Sequence, residues 1–135
     1  MNFQEHMTTH FSNGKLVAGS IITGVVVLFL TFDGVTKIIR IAPVMEASRQ
    51  LGLAPGSILG IGLVLLTCTA IYSIPKTAVL GAILLTGYLG GAAAIHVRAG
   101  SGMFPVLFSV GFGVLAWAGL ILREPRLFWL ILLRQ

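Results

Sequence analysis

The polar and apolar positions of this chain separate into blocks. Four long apolar runs, Leu16 to Phe32, Gly56 to Ile74, Thr77 to Val97 and Met103 to Leu122, are divided by short segments that hold most of the charge. Such runs suit α-helices crossing a hydrocarbon core about 30 Å thick. In lipid every backbone amide must be bonded within its own segment, so helices are the structure open to them. The first run is bracketed by Lys15 and Asp33 and meets no breaker before Pro43, since Gly34 alone only weakens a helix; its helix is expected to continue through Arg40. Ala42 to Pro55 reads as a polar connection with a short interfacial helix, closed by the Gly52 to Gly56 turn region. Pro75 and Lys76 predict a tight hairpin, Ala99 to Gly102 a turn, and Arg123 to Arg126 the end of the fourth run. The apolar stretch Leu127 to Leu133, centred on Trp129, is too short to span and is expected at the interface.

These elements predict an all-α integral membrane protein, an antiparallel four-transmembrane-helix bundle with short loops. The spans fall at about 16–40, 56–74, 77–97 and 103–122, preceded by a polar segment at 1–15 and followed by a tail at 127–135.

Composition agrees with this reading. Of 135 residues 56% are hydrophobic and 10% charged, against about 25% charged in a typical soluble domain; mean hydropathy is +0.99. The net charge of +5 comes from Lys and Arg scattered among segment ends, where lipid headgroups favour them. There is no basic cluster with interleaved aromatics, so a nucleic-acid partner is not expected. Lys15, Lys76, Arg123, Arg126 and Arg134 fall on the side of the termini and Lys37, Arg40, Arg49 and Arg98 on the other, five against four for cytoplasmic termini. No A-x-A-like cleavage site follows the first run, which reads as a retained span. The single cysteine, Cys68, leaves no internal disulfide or C-x-x-C motif and reads as a packing residue. His6 and His10 lie on the opposite side from His96, so no metal set is expected.

Two constellations carry candidate chemistry. The third span holds Gly87, Gly90 and Gly91 among alanines, and the second holds Gly56 and Gly60; such small-xxx-small surfaces predict close helix packing and would also serve a homo-oligomer. The third span is expected to be the inner element. Asp33, Lys37 and Arg40 at i, i+4 and i+7 form one helix face, with the acid before the base in the favourable order. Antiparallel counting brings His96 and Arg98 to the same membrane layer, and Tyr88, Ala92 and His96 share a face that leads there from mid-bilayer. Two readings stand open: charges that snorkel at the helix ends, or the lining of a cavity mouth. Histidine changes charge near neutrality, which suits proton transfer or a hydrogen bond to a carbonyl. Tyr72 and Ser73 are expected at the membrane interface.

The segment Phe32-Asp33-Gly34-Val35-Thr36-Lys37, the hairpin Ile74-Pro75-Lys76-Thr77-Ala78, the run from Thr86 through Gly87, Tyr88, Gly90, Gly91 and His96 to Arg98, and the closing stretch Gly119 to Leu127 resemble the DoxX-like family of bacterial membrane proteins. The resemblance implies a four-helix bundle in the bacterial cytoplasmic (inner) membrane. The family takes its name from a subunit of a thiosulfate to quinone oxidoreductase, and most members have no established activity. Relatives often carry a glutamate in the first half of the second span, in a G-I-x-E-like stretch; this chain has Gly60-Ile61-Gly62-Leu63 there, without a glutamate. The expected function is an accessory membrane component that binds membrane lipid or a quinone, with no cofactor held by the chain itself and no catalytic activity of its own. The alternative is a subunit of a quinone-linked oxidoreductase working with a redox partner in the membrane, and behind that a transporter or channel.

Overall fold

The computed structural model describes the backbone of residues 3–132 and the side chains of residues 13–131. Among them are six helices, α1 (Phe3–Ile38), α2 (Ala42–Gln50), α3 (Ser57–Ser73), α4 (Ala78–Ala99), α5 (Met103–Arg123) and α6 (Arg126–Leu132). Three of these contain stretches long and apolar enough to cross a membrane: Asn13–Ile38, Ala78–Ala99 and Met103–Arg123. α3 is as apolar but has 17 residues. Large apolar side chains cover the outside, Leu28 at 74% exposure and Phe104 at 76% among them. Apolar surface on this scale is at ease only in lipid, and the chain is an integral membrane protein.

Local signals set the helix ends. Pro43 sits in the first turn of α2, where its missing N–H leaves nothing unsatisfied. α4 ends in a Schellman motif: Gly100 takes a left-handed backbone (φ 64°), its N–H donates to Val97 O, and Ser101 N–H donates to His96 O. Thr77 closes the α3–α4 hairpin by donating its hydroxyl to Ile71 O (2.8 Å).

α1 differs from expectation at both ends. It begins at Phe3, well before the apolar run, because only Gly14 interrupts the residues leading into it. It stops at Ile38, short of Arg40, because Arg40 turns into the left-handed region (φ 55°) and Ile41 N–H folds back to Thr36 O. Arg40 therefore does not continue the face of Asp33 and Lys37.

α1 packs on α3 and α5, and α4 packs on the same two, so the four form a closed ring with α1 diagonal to α4. Neighbours run antiparallel: Gly19 meets Gly119 and Arg123 while Phe29 meets Phe108 and Phe112, and Gly34 meets Leu66 while Lys37 meets Gly62. Val26, Leu30, Leu65, Leu85, Leu89, Ala116 and Leu120 make the core between them.

The glycines that permit this approach are not the expected ones. A Cβ on Gly81 would lie 2.3 Å from Tyr72 N and Cα, one on Gly119 would lie 2.7 Å from Thr23 Oγ1, and Gly34 and Gly62 pass close to each other's backbone. Around Gly56, Gly60, Gly87, Gly90 and Gly91 nothing stands within 4 Å of an added Cβ. These five line open faces, and their missing side chains leave space where packing was expected; α4 packs instead through Gly81, Ala82, Leu85, Leu89 and Ala93. Tyr72, next to the end of α3, is 1% exposed, and its hydroxyl donates to Ala116 O (2.7 Å), tying α3 to α5 across the ring.

Candidate functional site

At the end of the ring where α1 and α4 finish, the diagonal gap between these helices opens into a cavity of about 540 Å³. Gly87, Gly91 and Ala92 create it on the α4 side, since glycine and alanine cannot reach across to α1. On the opposite wall stand Phe29, Leu30, Asp33 and Lys37 from α1, with Phe108, Ser109 and Phe112 from α5 beside them. α2 lies over the opening through Val44, Ala47 and Ser48, followed by Leu51 and Leu53. The chain thus closes its own cavity with the connection that read as a simple polar loop and interfacial helix.

Four of the six expected polar residues come together here: Asp33, Lys37, Tyr88 and His96 all line the cavity. Tyr88, Ala92 and His96 do so at i, i+4 and i+8, as their shared helix face requires. Lys37 Nζ donates to Asp33 Oδ2 (2.5 Å), the expected pair one turn apart, and both side chains are partly buried. Their charges cancel, so the cavity has no net charge from this pair.

His96 sits in the last turn of α4, just before the Schellman motif that stops the helix. Its Nδ1 is buried with no hydrogen-bond partner among the described residues. A buried polar atom left without a partner costs about 1–3 kcal/mol, and neutral imidazole can accept or donate at that position depending on its tautomer. The site therefore has a polar atom facing a demand that the chain itself does not meet.

Arg40 and Arg98 stand apart from the cavity lining. Arg40 occupies the exposed turn after α1. Arg98 reaches from α4 to the end of α2, where its guanidinium donates to Leu51 O (3.0 Å), so it positions the covering helix. The side chains of His6 and His10 lie outside the described residues.

Sequence reasoning missed the aromatic wall. Phe29 stacks on Phe112 with ring centroids 4.4 Å apart and meets Phe108 edge-on at 5.4 Å. Phe104, Phe108 and Phe112 recur at i, i+4 and i+8, a spacing that announces one aromatic face on the fourth span. Which helix that face would meet is decided only by the ring. On α3, Gly62 has α1 against it: a Cβ would meet Gly34 O and Lys37 Cβ at 3.0 Å. That position is closed to a larger side chain by the crossing of α1 and α3.

The family model described as the DoxX-like family matches residues 21–119. The match takes in the α1, α3 and α4 segments of the cavity together with Phe108, Ser109 and Phe112. No curated protein and no solved structure matches the chain.

Proposed function

The chain belongs to the DoxX-like family, and from that membership together with the cavity we propose that it is an accessory component of the bacterial inner membrane that binds an uncharged, lipid-like small molecule of the quinone type. The observation that carries this reading is His96, which lines a cavity whose remaining walls are largely apolar and aromatic and whose Nδ1 is buried without a partner among the described residues. A quinone carbonyl would accept a hydrogen bond from imidazole, and a quinol hydroxyl would donate one. About 540 Å³ falls within the usual range of small-molecule sites, roughly 300–1,000 Å³. The closed Lys37–Asp33 pair favours a neutral headgroup over an anionic one, because an anion would have to compete with the carboxylate already in place.

In this reading the chain crosses the membrane four times. Support comes from the antiparallel ring, in which α3 runs beside α1 and α4 over the same depth. At about 1.5 Å per residue α3 is roughly 26 Å long, short of a full core but within what local thinning accommodates. The termini then lie on the cytoplasmic side, by the excess of Lys and Arg there.

The direct test is equilibrium binding of a short-chain benzoquinone to the purified protein in lipid nanodiscs. His96→Ala is expected to weaken binding about tenfold, the worth of a hydrogen bond of about 1.4 kcal/mol, and Asp33→Ala to weaken it by freeing the Lys37 charge. Unchanged binding and unchanged thermal stability in both variants would sink the proposal.

A second reading rests on Tyr88 and His96 lining one cavity. Both side chains can carry protons, so the chain would serve a quinone-linked oxidoreductase as the proton-handling subunit, with electrons supplied by a membrane partner. Co-purification with a redox protein and quinone-dependent electron transfer would favour it; a protein that purifies alone and without redox activity would count against it.

A further inference from the structure

A second void of about 490 Å³ lies along the seam of α4 and α5, and Leu89 and Ser109 border both spaces. It follows α5 from Ser109 to Ile121, about 18 Å of helix at about 1.5 Å per residue. Val110 and Val114 on its rim are half or more exposed, so the seam opens toward lipid.

Its polar groups make no demand on an occupant. Trp117 Nε1 donates to Thr86 Oγ1 (2.8 Å), and Ser109 Oγ donates to Pro105 O (3.1 Å). The space is open by design of the residues along it: a Cβ on Gly90 would meet nothing within 4 Å, and one on Gly113 would only touch Leu89 Cδ1 at 3.8 Å. Elsewhere the helices approach closely: Tyr72 lies hard against Gly81 between α3 and α4, and between α1 and α5 Gly19 meets Gly119 and Phe29 stacks on Phe112.

We infer that the ligand of the cavity, on the reading of that cavity as a binding site, is a two-part amphiphile whose headgroup meets His96 and whose extended apolar tail leaves between Leu89 and Ser109 to lie along the α4–α5 seam. The headgroup end supplies the hydrogen bond and the seam supplies the apolar area. A hollow this long at the edge of a bilayer is filled by hydrocarbon in any case; its shared border with the cavity at Leu89 and Ser109 makes a tail tethered to the bound headgroup the occupant that gains most, because its entry follows headgroup binding at no further cost in translational freedom.

The test compares two probes in lipid nanodiscs, a benzoquinone ring bearing a decyl chain and the same ring bearing a methyl group, each corrected for partition into protein-free discs. The wild-type protein is expected to bind the decyl probe at least about tenfold more tightly. Gly90→Leu, whose Cβ has open space and whose side chain would occupy the seam, is expected to remove that preference and leave the methyl probe unchanged; His96→Ala is expected to weaken both. As a measurement on the unaltered chain, a diazirine at the end of the decyl chain should label α5 between Gly113 and Ile121. A decyl preference that is absent, or that survives Gly90→Leu, or labelling confined to α1 or α3, overturns the tail route. The site itself stands in those cases if the methyl probe still depends on His96. Binding of both probes that ignores His96→Ala overturns the site reading and the tail route with it.

Discussion

Gly81 and Gly87 lie less than two turns apart on α4, and their surroundings are opposite. A Cβ on Gly81 would strike backbone atoms of Tyr72 at 2.3 Å, whereas one on Gly87 would meet nothing. Backbone cannot move aside as a side-chain tip can, so Gly81→Ala must push α3 and α4 apart. It is expected to cost about 3 kcal/mol, while Gly87→Ala should be neutral or stabilising by up to about 1 kcal/mol through helix propensity. Reversible unfolding in mixed micelles measures both, and equal effects would mean that the close crossing at Gly81 is wrong. Tyr72→Phe offers a second residue-scale check. It removes the hydroxyl that donates to Ala116 O while keeping the ring, and should cost about 1 kcal/mol in the same assay. Neither Gly81 nor Tyr72 was legible as a packing pair. Glycine is common along this chain, and small-xxx-small spacing identifies where helices can approach without saying which face receives a neighbour.

At the scale of elements, α2 is the part whose role changed most. From the sequence it is a polar connection with a proline at its start; in the fold it covers the cavity and is held at its far end by Arg98. Left-handed backbone at Arg40 and Gly52 brackets it, which lets a short helix double back over the ring. Arg98→Ala removes the hydrogen bond to Leu51 O and is expected to speed amide exchange at Leu51 to Leu53 about fivefold, corresponding to about 1 kcal/mol, with α3 to α5 unaffected. Exchange that does not change would mean that apolar contacts of Val44 and Leu51 hold α2 alone. The boundaries of α3, α4 and α5 were legible to within a residue or two, because Pro75, Gly100 and Pro125 punctuate the apolar runs. The end of α1 fell two residues short of Arg40; what was not legible is the left-handed turn at Arg40, which no proline or glycine marks.

At the scale of the whole molecule, the four-pass reading makes a geometric prediction. In a Cys68→Ser background, cysteine at Lys76 should react with an impermeant reagent from one side of the membrane and cysteine at Ser101 from the other. The two turns lie at opposite ends of α4, so labelling of both from a single side would sink the topology. Cys68 itself is buried and should react slowly in the unaltered protein. The same experiment reads orientation, because Lys76 is expected on the side of the termini. Arg40 occupies an exposed turn and so counts as a loop charge on the side opposite the termini.

The sequence by itself determined that this is a helical membrane protein with an Asp33–Lys37 pair and a Tyr88 to His96 face, because hydropathy and helical period act locally along the chain. It also carried the four polar residues to one layer, since antiparallel order follows from short turns. Only the tertiary structure decided that these residues border a cavity, that Phe29, Phe108 and Phe112 wall it, and that the glycines of α4 make room where they were expected to make contact. The physical reason is that a missing side chain is ambiguous until its neighbour is known. Against another backbone it is a close crossing, as at Gly81; opposite a diagonal partner it is empty space, as at Gly87 and Gly91.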